Sequence, residues 1–317
     1  MDFSKAFDNV KHDILCDKLK RWPGINPNII NWYISFLENR KQRVVINGHS
    51  CEWKKVNKGT IQGSVSGPYL FNIFLNDLNM DDCRNTSLSK YADDSNILVT
   101  VNKNDSCEYA SKSVDHFMQW TIDNGMSSNK SKCKELVFSK KNDEFDYQPI
   151  FDVKQTDHLT VLGVTLQANC KFTKHVSNKL AQANKCLHVL RTLRQEKCSQ
   201  KEMDLLFDAI VLPKISYGLS VIGSSSPDLN SLQQFLDRCY KRNFTSKHYN
   251  IYELLEKSDM NIFKAMNFSS DHPLKDLQPR QKPDFYSLRN PGCIKPLVNT
   301  ERFKNSFINR IIFKYNL

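Results

Sequence analysis

Apolar positions along this chain recur with two periods, and the switch between them marks out the elements. Phe7, Val10, Ile14, Leu15 and Leu19 fall at helical spacing after a short strand-like opening, and Pro23-Gly24 ends that run. Ile29, Ile30, Tyr33, Ile34 and Leu37 predict a second helix over 28–37. Residues 42–56 read as a hairpin turning at Asn47-Gly48, because both residues tolerate the positive φ of a tight turn. Residues 69–78 are apolar almost all round, which predicts a wholly buried helix with Pro68 in its first turn. Around Lys90–Val101 the pattern is strand, tight turn, strand, with Asp93 and Asp94 at the turn. Ala110, Val114, Phe117 and Trp120 mark a helix capped by Asp105 and stopped at Asn124-Gly125. A strand over 135–139, a polar loop over 140–149 and a strand over 159–166 broken by Gly163 follow.

The pattern changes near residue 170. Val176, Leu180, Ala183, Leu187 and Leu190 step by four and three. Lys174, Lys179, Lys185, Arg191 and Arg194 lie largely off that stripe, either as a wet helix face or as a phosphate-contacting one. Further helices fit 200–212, halted by Pro213, and 227–244. Five later prolines, from Pro273 to Pro296, predict loose structure before an amphipathic end at 303–313. The organisation expected is 1–170, 171–245 and a basic, partly irregular 246–317. The fold class is α+β.

Charge narrows the function. The formal net charge is +11 over 317 residues. That excess favours a polyanionic partner such as nucleic acid, with anionic membrane surfaces and plain solubility as competitors. No apolar run approaches the roughly 20 residues of a membrane span, and no signal peptide opens the chain. Ten scattered cysteines without a C-x-x-C pair point to reduced thiols and an intracellular setting, cytoplasm or nucleus.

Paired carboxylates at a turn are ordinary turn chemistry in isolation. With Asp2 on a separate segment they become a candidate site for two magnesium ions. Magnesium takes hard oxygen ligands, and converging carboxylates repel unless a cation lies between them.

Five motifs in order carry a resemblance. Asp2-Phe3-Ser4-Lys5-Ala6-Phe7-Asp8, Gln62-Gly63-Ser64-Val65-Ser66-Gly67-Pro68, Tyr91-Ala92-Asp93-Asp94, Asn129-Lys130-Ser131-Lys132-Cys133 and Leu162-Gly163-Val164 resemble those of non-LTR retrotransposon reverse transcriptases of the jockey or chicken-repeat type. Arg289-Asn290 with 303–310 resembles the tail of that family. The resemblance implies a right-hand polymerase palm, an antiparallel sheet with helices, over 1–170, then a helical thumb. It implies RNA-directed DNA polymerase chemistry with RNA template, DNA primer, dNTP and two Mg²⁺ ions, and no membrane. Asp2 and Asp93 would be metal ligands, with Asp94 the supporting acid. Lys132 would give a proton to pyrophosphate. Phe7 would exclude a ribose 2′-OH, and Gln62 and Gly63 would lie under the nucleotide. The five basic residues of 174–194 would track the duplex.

The sequence departs from that pattern in two ways. Ser66 stands where the family usually has Leu, and Ser95-Asn96 where Thr is common. A single residue precedes Asp2, so a fraying opening strand and missing fingers are expected. Turnover by this polypeptide alone is therefore an open expectation. Its alternative is a catalytically inactive, nucleic-acid-binding remnant of a transposable element.

Overall fold

The computed structural model describes residues 1–101, 108–138, 149–150, 152–223, 225–269, 271–277, 295–298 and 300–315. Asp105, the loop 140–149 except residue 149, and Arg289-Asn290 lie outside the described residues. The fold is mixed, with helices and small, mostly antiparallel sheets in two compact units, Met1–Asp157 and His158–Leu317.

In the first unit a 3-10 turn at Ala6–Asp8 precedes α1 (His12–Arg21) and α2 (Pro27–Leu37). The Asn26 side chain caps α2 by accepting from Asn28 N at 2.9 Å, with Pro27 in the first turn. Next come β1 (Lys41–Gln42), β2 (Val45–Ile46), β3 (His49–Ser50) and β4 (Lys54–Lys55). Strand β1 pairs with β4 and β2 with β3, and the Asn47-Gly48 turn has φ +49° and +82°. Helix α3 (Ser66–Leu75) leads to the hairpin of β5 (Thr86–Tyr91) and β6 (Asp94–Val99). Then α4 (Glu108–Asp123) ends at Gly125, φ +62°, as its Asn-Gly predicts. A short parallel pair, β7 (Lys134–Glu135) and β8 (Lys154–Gln155), closes the unit.

Phe3, Leu15, Leu19, Leu70, Phe71, Phe74, Phe117 and Trp120 form the shared core of this unit. Each fully buried side chain of this size contributes about 1.5–3 kcal/mol. One expectation is corrected here. Helix α3 is not buried all round, since Tyr69 is 65% exposed while Leu70, Phe71 and Phe74 face inward. Among the described residues the strands form separate two-stranded pieces, antiparallel except for β7 and β8.

The second unit opens with β9 (His158–Val161) and β10 (Val164–Gln167). These are a tight hairpin rather than one broken strand. Leu162 and Gly163 both take positive φ, +46° and +78°, which reverses the chain in two residues. Helix α5 (Thr173–Gln195) buries Val176, Ala183, Leu187 and Leu190, the expected stripe. Helix α6 (Gln200–Leu206) carries a capping box between Ser199 and Glu202. It runs through a π-helical turn at Phe207–Val211 into α7 (Leu212–Ser216). Pro213 therefore does not halt the helix. The widened turn ahead of it removes the need for its missing N–H. Helix α8 (Leu219–Ile222) and α9 (Ser226–Lys241) follow, with Leu232, Phe235, Leu236 and Cys239 in the core.

The stretch 278–294, which holds Pro279, Pro283 and Pro291, lies outside the described residues. Helix α10 (Ile251–Phe268) spans 18 residues, capped by the Asn250 side chain. The prolines all fall after it. Two short helices, α11 (Glu301–Lys304) and α12 (Phe307–Tyr315), complete the described chain. Arg310 of α12 makes a buried, two-pronged ion pair with Asp259 of α10, at 2.7 and 2.9 Å, and also donates to the Ser220 carbonyl at 3.0 Å. Breaking such a pair leaves a buried charge, so it holds the end of the chain on this unit.

Candidate active site

Asp2 does not fray. Its carbonyl accepts from Asn129 N at 2.8 Å, Ser4 N donates to Ser127 O at 2.7 Å, and Phe3 bridges Ser128. Phe3 is 4% exposed and packs on Phe117, with ring centroids 5.2 Å apart. The Asp2 side chain is thus carried on a segment clamped to the residue 127–133 turn. Its Oδ2 is buried and has no hydrogen-bond partner. The nearest cation is Lys132 Nζ at 3.8 Å, on a largely exposed side chain.

Strands β5 and β6 present the other two acids. Ala92 and Asp93 form the two-residue turn, with Ala92 at φ +50°, and Asp94 opens β6 opposite Tyr91. Only Asp93 is therefore a turn residue. The Met1 amino group donates to the Ser95 carbonyl at 2.6 Å, tying the opening segment to β6. Burial pushes that ammonium below its ordinary range, and Cys133, Asp2 and Asp94 oppose the drop. Among the described residues no three His, Cys, Asp or Glu side chains are arranged as a ready-made metal site.

The hairpin is placed by a residue that sequence reasoning passed over. Lys90 Nζ donates to the carbonyls of Leu75 and Leu78, at 2.8 and 2.7 Å, at the end of α3. A cation there satisfies orphan carbonyls and the negative helix end. Lys18 does the same from α1, bonding the Phe74 carbonyl and Asp77 Oδ1 at 2.7 and 2.6 Å. Burial lowers both ammonium groups from their ordinary range. The signal for Lys90 was its place one residue before Tyr91, but its partner lies across the fold.

The glycine-containing loop is built against the 3-10 turn. Gly59 N donates to Val10 O at 2.7 Å and Thr60 N to Phe7 O at 2.8 Å. Gln62 Nε2 bonds Asp8 Oδ1 at 2.8 Å, and Gly63 takes φ +82° with open space around it. Ser64 Oγ accepts from Gly67 N, in the first turn of α3, at 3.0 Å. A Cβ on Gly67 would meet the Ile61 carbonyl at 2.9 Å, so the loop needs glycine there. Phe7 is half-buried and stacks on Phe71, centroids 4.3 Å apart.

The five basic residues on α5 do not act as one row. Lys174 and Lys185 are exposed and about three turns apart on one side. Lys179 lies over the Tyr217 ring at 4.4 Å, and Arg191 and Arg194 lie over Phe244 at 5.8 and 4.7 Å. Arg194 also bonds the carbonyls of Arg242, at 3.0 Å, and Asn243, closing the end of α9.

The profile of the reverse transcriptase (RNA-dependent DNA polymerase) family matches residues 1–166, and the chain belongs to that family. It is similar to an RNA-directed DNA polymerase from the mobile element jockey of Drosophila melanogaster, 27% identical over 248 residues, covering 74% of this chain and 26% of that protein. A probable RNA-directed DNA polymerase from transposon BS of the same species is 24% identical over 298 residues, 86% of this chain and 31% of that one. The expected kinship with non-LTR retrotransposon reverse transcriptases is borne out. The chain spans about a quarter to a third of the length of these relatives. No helix among the described residues is long and apolar enough to cross a membrane, and the eight described cysteines are free thiols.

Proposed function

We propose that this chain is the palm and thumb portion of an RNA-directed DNA polymerase. On this reading residues 1–170 are the palm, 171–245 the thumb, and 246–317 a basic, partly irregular C-terminal region. The reaction is attack of a primer 3′-OH on the α-phosphate of a dNTP, directed by an RNA template. The observation that carries the reading is the buried Asp2 Oδ2 with no hydrogen-bond partner, on a clamped segment beside Lys132. A carboxylate oxygen left in that state is costly unless a cation completes it.

Two magnesium ions fit that donor chemistry, with Asp2 and Asp93 as ligands and Asp94 in support. When bound they would supply charge stabilisation for the attacking and leaving oxygens. The remaining work belongs to the chain. Lys132, near Asp2, holds a proton where pyrophosphate leaves. The Phe7 ring, fixed on Phe71, walls the sugar side of the nucleotide. Gln62 and Gly63 form its floor, with Gln62 steadied by Asp8. Lys174 and Lys185 give the thumb non-specific phosphate contacts.

The test is primer extension by this polypeptide with RNA template, DNA primer, dNTPs and Mg²⁺, beside an Asp93→Asn/Asp94→Asn variant. Extension lost in the variant supports the reading. No extension by a folded protein that still binds template–primer leaves a binding remnant instead.

A further inference from the structure

Residues 41–55 form a ribbon in which every residue is exposed, on both faces. Two-stranded ribbons with no buried face are marginal alone, so this one is shaped for something that covers it. Its pairing shows what it offers. Lys41 stands directly across from Lys55, and Gln42 from Lys54. Arg43 lies over the Trp53 ring at 4.7 Å. Directly opposed residues share a face, so Lys41, Arg43, Trp53 and Lys55 line one side. A bulge at Cys51–Trp53 then shifts the register before Val45 pairs with Ser50. The Cys51 thiol accepts from Val44 N at 3.1 Å and fills that bulge.

This face is electrostatically incomplete. Like charges directly across a ladder repel. Between residues 39 and 58 there are six Lys or Arg and one acid, Glu52. Among the described residues no carboxylate pairs with Lys41, Arg43, Lys54 or Lys55. The Trp53 indole is 59% exposed between the cations. At the root of the ribbon, Arg40 lies over Phe36 at 4.8 Å and Phe36 stacks on the exposed Trp32.

We propose that this ribbon face binds single-stranded nucleic acid, one base stacking on Trp53 while Lys41, Arg43 and Lys55 take the flanking phosphates. An acidic protein would satisfy the cations but leave the indole unused. A duplex would satisfy the phosphate contacts but keep its bases stacked inside. A single strand uses both. The proposal rests on the reading that this chain handles nucleic acid, but not on nucleotidyl transfer.

The test is anisotropy of a labelled oligouridylate of about 12 nucleotides, and of its DNA counterpart, with the full chain over a range of salt. Trp53→Ala is expected to bind both roughly tenfold more weakly. Lys41→Gln/Lys55→Gln is expected to flatten the slope of log affinity against log salt by about 1.4. Neither change touches the core, and circular dichroism checks that both variants stay folded. A blunt duplex of the same length should show no Trp53 dependence. Wild-type affinity and slope in both variants would overturn the proposal. So would an equal Trp53 loss on duplex, or self-association of the wild type abolished by Trp53→Ala, which would make a second copy the occupant. Absent extension with Trp53-dependent binding intact would sink the polymerase reading and leave this one standing.

Discussion

Lys132 Nζ stands 3.8 Å from Asp2 Oδ2, a gap too long for a hydrogen bond, on a side chain largely open to solvent. The turn at 129–133 and the opening segment are clamped together by backbone bonds, so the approach is built into the fold. If Lys132 gives its proton to the leaving pyrophosphate, Lys132→Gln should slow single-turnover extension about a hundredfold. Template–primer affinity should hold. An unchanged rate would make Lys132 a solvated turn lysine.

The loop before α3 and the first turn of α3 put glycine to two uses. At Gly67 an added methyl collides with the Ile61 backbone, whereas at Gly63 it meets nothing and only the positive φ opposes it. Gly67→Ala should therefore cost about 1–3 kcal/mol in urea unfolding. Gly63→Ala should cost only about 1 kcal/mol. Equal costs would show that the loop relaxes around Gly67.

Arg194 and Lys185 share a helix but not a role. Arg194→Ala removes the guanidinium that closes α9 at the Arg242 and Asn243 carbonyls. Unfolding experiments should show a loss of about 1–2 kcal/mol. Lys185→Ala should leave stability within about 0.5 kcal/mol. It should instead reduce the salt slope of duplex binding by about 0.9. The reverse pattern would remove Lys185 from the nucleic-acid face.

His175 should make the second unit acid-sensitive. Its Nδ1 accepts from Thr165 N at 3.1 Å, which holds β10 on α5 and requires the neutral ring. Burial pushes the imidazole below its ordinary range and Lys179 adds to this, while the Tyr217 backbone and Asp228 oppose it. The unfolded chain therefore binds this proton first. The contribution is complete above pH ~6.5 and is lost as pH falls below it. Melting temperature should drop between pH 7.5 and 5, and His175→Gln should show a smaller drop. Parallel pH curves for the two proteins would show that another group governs.

Local chemistry made much of this molecule legible before any fold was known. Asn47-Gly48 and Asn124-Gly125 turned where backbone tolerance of positive φ required. The stripe from Val176 to Leu190 was buried because a 3.6-residue period can face only one way. The five motifs in order carried the family, since each motif is contiguous and needs no distant partner to be read.

What the sequence could not show depends on pairs far apart in the chain. Lys90 and Lys18 reach the end of α3 across 12 to 59 positions, and nothing beside either lysine names its partner. Arg194 reads as a surface cation until α9 ends beside it. Pro213 reads as a stop until a π turn makes room for it. Helix α10 was masked by prolines that lie beyond it. Periodicity and turn chemistry act over a few residues, and one chain dictates them by itself. Charge pairing, capping across elements and the bond from the Met1 amino group to the Ser95 carbonyl act through space, so only packing decides them.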